Sequence, residues 1–220
     1  MLLDSDFAAM PSIVGEGRRV INNIQRAATL FLVKNIFSLG LSLISFLTNW
    51  AYPLVPLHLS VISALTIGVP SFFLAMEPNY ERIKGHFLRG VLRRAFPGGL
   101  TNVFVGVMAL VYMATFDLSF EQVSTICAAL LAIVGMEVLY EVSRPVKKFR
   151  ALVWWSMMAG LALCFFFFSS IFELEMHSKE TVLVMSTLVI MTPTVFRTAQ
   201  KLFDWGDKAW AWIQKKRNQC

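Results

Sequence analysis

The chain has 220 residues, of which 56% are hydrophobic and only 15% are charged, and its formal net charge is +6. Soluble domains average about 25% charged residues, so this composition leaves too few polar groups to cover a surface that faces water. Because a spanning helix needs roughly 20 apolar residues, the sequence predicts an all-α, polytopic membrane protein with six transmembrane helices. The six apolar blocks cover residues 27–48, 54–76, 97–116, 122–140, 151–172 and 181–200.

The basic residues are distributed unevenly between the loops that connect these blocks. All but two of the 20 Lys and Arg residues lie before the first block, in every second loop, or at and beyond the end of the last block. The two exceptions are Lys34 and Lys179. This asymmetry follows the positive-inside rule and predicts that both termini are cytoplasmic. The positive charge is therefore a topology signal, and we expect no nucleic-acid partner.

Residues 1–26 precede the first block and mix apolar with charged residues, so we expect no cleavable signal peptide. Residues 12–26 place apolar side chains such as Ile13 and Val20 on one helical face, and Ser12 can cap this helix. Nothing interrupts the helix before the first span. The sequence therefore predicts one long helix that begins as a cytoplasmic stalk and continues into the membrane.

The first span, "TLFLVKNIFSLGLSLISFL", contains a lysine within apolar sequence. Lys34 is followed by Asn35, and from there Ser38, Ser42 and Ser45 continue a polar stripe at helical spacing. An ionisable group near the bilayer centre costs at least ~2.5–3.5 kcal/mol, so Lys34 with Asn35 indicates a functional site. Two simpler roles stay open. The lysine stem can extend to the interface, and small serines can simply let helices approach closely.

The second span, "PLHLSVISALTIGVPSFFLAMEP", contains a proline and a glycine near its middle. Pro70 has no N–H and clashes with the carbonyl of Thr66, and Gly68 loosens the turn between them. We expect a helix that is unwound near mid-membrane, with the carbonyl and hydroxyl of Thr66 both free and Ser63 one turn back on the same face. Transporters build ion sites from such unwound helices, although a simple packing kink would also explain the proline.

The remaining spans contain one further candidate, Glu137, on the cytoplasmic half of the fourth span. A helix-end salt bridge to Arg144 is a second possible role for this carboxylate.

The cysteines and histidines show no spacing typical of disulfides or metal ligands. Residues 201–220 mix tryptophans with lysines, which predicts an interfacial cytoplasmic tail, unless this segment merely extends the last span.

Two segments resemble P-type cation-transporting ATPases. "DSDFAAMPSIVGEGRRVINNIQRAATLFLVKNIFS" is similar to the end of the family's phosphorylation domain with the stalk leading into its fifth membrane helix. "PLVPLHLSVISALTIGVPSFFLAMEPN" is similar to the sixth helix. The resemblance covers essentially the whole chain, is specific over residues 4–79, and is closest to bacterial members thought to move calcium or a related cation. It implies a phosphorylation-domain end and stalk at 1–26, a six-helix transmembrane domain at 27–200 and a tail at 201–220, in a bacterial plasma membrane.

The resemblance implies the C-terminal, ion-translocating membrane half of an ATP-driven pump. The family's phosphorylated aspartate lies in a "DKTGT" motif and its magnesium-binding residues in "TGDGxNDxPAL", and the sequence contains neither motif. Without that nucleophile the chain alone cannot hydrolyse ATP. The implied partners are the lipid bilayer, the transported cation and a missing catalytic half that binds ATP and magnesium.

Carried over residue by residue, the resemblance places Asn35 and Thr66 at cation-coordinating positions. Three expected ligands are replaced, and both carboxylates are lost, although a divalent cation prefers anionic oxygen ligands. The replaced ligands fall at Ser38, Ser63 and Ile67. The candidate ion-binding and transport residues are Lys34, Asn35, Ser38, Ser63, Thr66, Pro70 and Glu137.

Lys34 opposes a divalent ion in this site, because two unit charges ~4 Å apart interact by about 4 kcal/mol at an effective dielectric constant of 20. We therefore expect Lys34 to act as a built-in counter-cation that occupies or repels the cation site in one state. The "LVKN" motif also resembles the fifth helix of the gastric proton–potassium pump and of lipid flippases, so it leaves a lipid-transporting relative open. A stand-alone six-helix subunit that binds a partner stays open too, as does a passive channel, but both would leave the stalk without a role.

Overall fold

The computed structural model describes residues 10–82, 85–167 and 179–217, and its regular elements within these ranges are all helical. A π-helical segment, Ala64–Gly68, joins the second helix to the third. Six stretches of these helices are long and apolar enough to cross a membrane, which confirms the all-α fold and the six predicted spans. The helices α1 to α7 are Met10–Thr48, Pro56–Ser63, Val69–Met76, Phe87–Phe116, Phe120–Val142, Lys148–Phe167 and Lys179–Arg217.

Parts of three predicted segments lie outside the described residues. These are the first nine residues of the predicted phosphorylation-domain end, residues 168–172 of the fifth apolar block, and the last three residues of the predicted tail. The sidedness of the termini and the three-domain division stay predictions.

The first helix is much longer than a membrane is thick. The 39 residues of α1 form one unbroken helix. At a rise of 1.5 Å per residue it is about 58 Å long, nearly twice the ~30 Å of a bilayer's hydrocarbon core. The predicted stalk and the first predicted span are therefore parts of a single helix. How much of it lies outside the bilayer stays a prediction.

The last helix also continues beyond its predicted span. Helix α7 runs without interruption to Arg217, so residues 201–217 extend the helix of the sixth span. Trp205 in this extension is 75% exposed. The extension is helical, and its position at the membrane interface stays a prediction.

Helix α5 lies at the centre of the bundle, in contact with α1, α2, α4, α6 and α7. It is rich in small buried residues, including Ser124, Ala128 and Ala132, which let neighbouring helices approach closely in a membrane. A capping box fixes its first turn. The Ser119 hydroxyl accepts from the Gln122 N–H at 3.3 Å, and the Gln122 side chain accepts from the Ser119 N–H at 3.0 Å.

Two adjacent glycines bring α4 against α1. A Cβ atom at Gly99 would lie 2.5 Å from Cγ2 of Ile36 on α1. One at Gly98 would lie 3.3 Å from Cγ2 of Val33 on α1 and 2.5 Å from Cγ2 of Val138 on α5. Any larger residue would push α4 away from the part of α1 that carries Lys34. The glycines thus determine how closely the lysine-bearing turn packs into the bundle.

Candidate ion-translocation site

A small cavity between α1, the α2–α3 junction, α4 and α5 brings together part of the predicted site. Lys34, Ser63 and Thr66 line it, and so does Ile67, the position at which the family's key aspartate is replaced. Its volume is about 20 Å³, which is enough for about one water molecule. We call this space the central cavity.

Pro70 does not unwind the second span. Residues Ala64–Gly68 form a π-helical segment in which the Val69 N–H bonds the carbonyl five residues earlier, and α3 follows at once. The wider π-helical turn shifts the backbone hydrogen-bonding pattern, and it thereby accommodates Pro70, which has no backbone N–H to donate. The Thr66 hydroxyl is not free, because it donates to the Ile62 carbonyl at 2.7 Å. The predictions of an unwound helix and a free hydroxyl are therefore wrong, although the hydroxyl oxygen keeps acceptor capacity.

Thr66 is held against α5 by close contact with a glycine. Its side chain is buried, and a Cβ at Gly135 would lie 2.9 Å from both Cβ and Cγ2 of Thr66. Real Cβ atoms essentially never approach so closely, so an alanine at this position would displace the threonine or the helix. Gly135 therefore forms the part of the cavity wall that faces Thr66.

Lys34 is half-buried at the edge of the central cavity. Within the described ranges it forms no ion pair, which is unusual for a lysine in apolar surroundings. Its position is compatible with a role in the cavity and also with extension of its stem towards the interface.

The polar stripe of α1 does not face the central cavity. Asn35 is exposed and Ser38 is half-buried, and neither lines the cavity. Ser42, one turn further along, is exposed as well. The hydroxyl oxygen of Ser45 is buried without a hydrogen-bond partner among the described residues, but Ser45 does not line the cavity either. The structure therefore separates Asn35 and Ser38 from Thr66.

Glu137 lies at a different place, in an apolar groove between α5, α6 and α7. One carboxylate oxygen, Oε2, is buried and has no hydrogen-bond partner among the described residues. The predicted pairing with Arg144 is wrong, because Arg144 instead contacts Glu141 at 3.3 Å. Arg197 of α7 lines the same groove. Because Glu137 follows Gly135 by two residues, it projects from the opposite side of α5.

One polar residue that lines the central cavity was not predicted from the sequence. Asn102 of α4 lines the cavity and is buried, and its Nδ2 atom has no hydrogen-bond partner within the described part of the chain. An unsatisfied buried N–H donor is costly, so this group is a candidate contact for an acceptor such as a water molecule in the cavity. The only signal in the sequence is a lone asparagine within an apolar block.

A buried ionic cluster at the end of α3 was also not predicted from the sequence. Oε2 of Glu77 accepts from Nε of Arg150 at 2.6 Å and from Nη1 of Arg26 at 3.4 Å. The Arg150 side chain is fully buried and also donates to the carbonyls of Ser143 and Pro145. We call the three charged residues Glu77, Arg26 and Arg150 the Glu77 cluster. It joins α1, the end of α3 and α6.

The chain is similar to several cation-transporting ATPases. No family model matches the chain. Over 180 residues, 75% of the chain, it is 37% identical to calcium-transporting ATPase CtpE of Mycolicibacterium smegmatis. It is 34% identical to CtpE of Mycobacterium tuberculosis over 206 residues, 86% of the chain. It is 30% identical to the probable cation-transporting ATPase exp7 of Streptococcus pneumoniae over 206 residues, 89% of the chain. The chain is homologous to part of a P-type cation-transporting ATPase.

The match to these P-type ATPases is a partial one. The chain spans about a quarter of the length of the relatives, with 23% of the Mycolicibacterium protein and 26% of the Streptococcus protein covered. The resemblance inferred from the sequence is confirmed, and the relatives and the six apolar helices together make this an integral membrane protein.

The described residues do not fit the cofactors of such a pump. They contain no group of three or more His, Cys, Asp and Glu side chains that could hold a metal ion. The sequence also lacks both motifs that bind the phosphoryl group and magnesium. No step of ATP hydrolysis is therefore assigned to this chain.

Proposed function

We propose that this chain is the membrane-embedded, ion-translocating portion of a P-type ATPase that moves a cation, with calcium or a related cation favoured. ATP is hydrolysed by parts of the pump that bind ATP and magnesium and are not in this chain. The observation that carries the proposal is the central cavity, where Lys34, Ser63 and Thr66 meet beside the π-helical segment. Irregular helix at membrane depth is tolerated where it lines such a cavity.

The oxygen atoms around the cavity suit a weakly held cation. Ser63 and Thr66 supply hydroxyl oxygens, and Asn102 supplies an amide oxygen. Carboxylates are absent from this wall, so a divalent ion held only here would lack the anionic ligands it prefers. We infer that additional ligands come from helices of the missing half.

The exposed polar stripe of α1 supports a missing partner. Asn35 and Ser42 are exposed on one side of α1. Polar side chains that face lipid are unfavourable, and in membranes they pack against other helices. A catalytic half that brings its own membrane helices would cover this face and place Asn35 near the ion path.

Lys34 supplies the positive charge of the site when no cation is bound. In one state its ammonium group occupies the cavity edge, and in the other it withdraws towards the interface. A pump with such an internal counter-cation carries fewer cations per ATP, or returns without a counter-ion.

The experiment that tests the proposal measures ATP-driven calcium uptake into inverted membrane vesicles from cells that express the polypeptide carrying this chain. Thr66→Val removes the hydroxyl oxygen and keeps the side-chain shape. We take the loss of one neutral oxygen ligand as comparable with the loss of a hydrogen bond to a charged group, which costs about 1.5–3 kcal/mol, and expect the apparent calcium affinity to fall about tenfold or more. Thr192→Val is the matched control, because Thr192 is equally buried and makes the same type of bond, to the Leu188 carbonyl at 2.7 Å. Equal uptake by both variants would contradict the proposed site.

The mass of the native polypeptide tests the missing half directly. An antibody against "WIQKKRNQC" should detect a membrane protein several times heavier than 24.8 kDa if the chain is part of an undivided pump. A band at 24.8 kDa that co-purifies with an ATPase subunit would indicate a split pump. A band at that mass without such a subunit would favour the stand-alone membrane protein.

A further inference from the structure

Two large cavities away from the central cavity adjoin each other. The apolar groove between α5, α6 and α7 has a volume of about 720 Å³. A polar chamber of about 840 Å³ lies where α1, α4, α5 and α7 meet the segment after α3. Glu141, Arg144 and Gln200 line both spaces, so the chamber lies directly beside one end of the groove.

The groove has the depth of one bilayer leaflet. Along α6 it extends from Trp154 to Phe166, which are twelve residues apart and therefore separated by about 18 Å. One leaflet contributes about half of the ~30 Å hydrocarbon core. The walls are mostly apolar, with Met136, Leu161 and Val189 among them, and Glu137 and Arg197 also line the groove.

The groove is open towards the side of the bundle. Phe166 is 80% exposed and Tyr140 is 44% exposed, whereas Met136 and Leu161 on the inner wall are buried. This side of α6 is part of the surface that lipid would contact around six spanning helices. An acyl chain can therefore enter the groove laterally from the bilayer.

The chamber offers guanidinium groups where a lipid headgroup would lie. Arg93 pairs with Asp204 at 2.6 Å and Arg144 pairs with Glu141 at 3.3 Å. Arg94, by contrast, lines the chamber without an ion pair in the described ranges. Arginine binds phosphate oxygens in a bidentate manner, so Arg94 and Arg144 are suited to a phosphodiester. The neighbouring carboxylates keep the chamber close to neutral, which admits zwitterionic as well as anionic headgroups.

We propose that the chamber and the groove together form a binding site for a membrane phospholipid. The phosphate contacts Arg94 and Arg144, and one acyl chain lies along α6 between α5 and α7. Basic pockets between transmembrane helices on the cytoplasmic side are typical sites for phospholipid headgroups. The site is separate from the central cavity, and its occupancy requires no ion transport.

The test uses the polypeptide that carries this chain, purified in detergent and analysed by native mass spectrometry with added phosphatidylglycerol. Ala162→Trp fills the groove from an exposed position that lines it, and Leu163→Trp adds the same side chain at the neighbouring exposed position, which does not line it. We expect the wild-type protein and Leu163→Trp to retain bound lipid, and Ala162→Trp to lose it. Equal retention by the two variants would overturn the proposal.

Headgroup recognition is tested separately. Arg94→Gln should weaken phosphatidylglycerol binding about fivefold, the factor equivalent to the ~1 kcal/mol that one arginine contributes near a membrane surface. Lys201→Gln is the control, because Lys201 is exposed next to Gln200 but lines neither cavity. Equal affinities for Arg94→Gln and Lys201→Gln would contradict phosphate binding by Arg94.

The choice of probes identifies the occupant. Phosphatidylethanolamine should bind as phosphatidylglycerol does. Diacylglycerol should not bind, because it lacks the phosphate, and inorganic phosphate should not bind, because it lacks the acyl chains. Equal binding of diacylglycerol would show an unspecific apolar groove and would overturn the proposal. If the lipid-free protein forms a dimer and Ala162→Trp abolishes that dimer, the occupant of the groove is a second copy of the chain. This result would also overturn the proposal.

Discussion

At the scale of single residues, Lys34 is distinctive because it is half-buried in apolar surroundings without an ion pair in the described ranges. A divalent cation ~4 Å from its ammonium group would be repelled by about 8 kcal/mol at an effective dielectric constant of 20, twice the value for two unit charges. That energy exceeds the roughly 3–6 kcal/mol that two hydroxyl oxygens recover at about 1.5–3 kcal/mol each. Cation binding and a charged Lys34 beside the cavity are therefore mutually exclusive in the proposed mechanism.

We predict that Lys34→Ser in the complete pump changes the number of cations moved per ATP hydrolysed, because the site loses its internal counter-charge. The measurement is the ratio of calcium uptake to phosphate release in vesicles. Lys179→Ser is the control, since Lys179 is the other lysine outside the basic segments and lies at the exposed start of α7. An unchanged ratio would leave snorkelling as the role of Lys34.

At the scale of helices, Glu77 connects three elements that are distant in the sequence. It follows the last residue of α3, and its carboxylate bonds Arg26 of α1 and Arg150 of α6. A buried charge is tolerated only when it is paired, and removal of one partner leaves the other uncompensated. The cluster therefore holds α1, the end of α3 and α6 together.

We predict that Glu77→Gln destabilises the protein by about 3–5 kcal/mol, because it leaves two buried guanidinium groups without their carboxylate. Unfolding in detergent, followed by tryptophan fluorescence, measures this loss. Glu16→Gln is the matched control, since Glu16 pairs with Arg19 on an exposed surface at 3.1 Å and such pairs contribute about 0–1 kcal/mol. Similar unfolding midpoints for the two variants would show that the Glu77 cluster contributes little.

The contact between α5 and the π-helical segment gives a second prediction at this scale. Gly135→Ala inserts a methyl group 2.9 Å from Thr66, so we expect overpacking that costs about 1–3 kcal/mol and reduces calcium uptake. Gly206→Ala is the control, because nothing lies within 4 Å of the added Cβ in α7. If Gly135→Ala unfolds and transports like Gly206→Ala, Thr66 does not depend on this close approach.

The helices and the site differ in how far the sequence predicts them. The length of each apolar block identifies the six spans, because a spanning helix must match the thickness of the bilayer's hydrocarbon core. Pro70 indicates a disturbance of the second span, but an unwound turn and a π-helical segment satisfy the proline equally well. The Glu77 cluster could not be predicted, because its hydrogen bonds join residues 51 and 73 positions apart. Asn35 and Thr66 are both plausible ligands in sequence, and only packing shows that Asn35 faces away from the cavity that Thr66 lines.

At the scale of the whole molecule, the predicted cytoplasmic segments come together at one end of the bundle. The Asn22 amide donates to the Glu81 carbonyl at 2.9 Å, Arg93 pairs with Asp204, and Arg150 donates to the Ser143 carbonyl. These bonds link α1 to the segment after α3, α4 to α7, and α6 to the α5–α6 loop. The contacts agree with the alternation that the positive-inside rule predicts, while the side of the membrane stays a prediction.

Cysteine labelling in spheroplasts tests that sidedness, in a background in which Cys127, Cys164 and Cys220 are replaced by alanine. Lys147→Cys lies in the exposed α5–α6 loop and Glu121→Cys in the exposed first turn of α5, so each reports one end of the same helix. We expect a membrane-impermeant maleimide to label Glu121→Cys in intact spheroplasts, and Lys147→Cys only after the membrane is opened, because the basic loops are held on the cytoplasmic side. The reverse pattern would invert the topology. It would also place the stalk-like half of α1 on the side where no ATP is available, which would contradict the proposed coupling to a catalytic half.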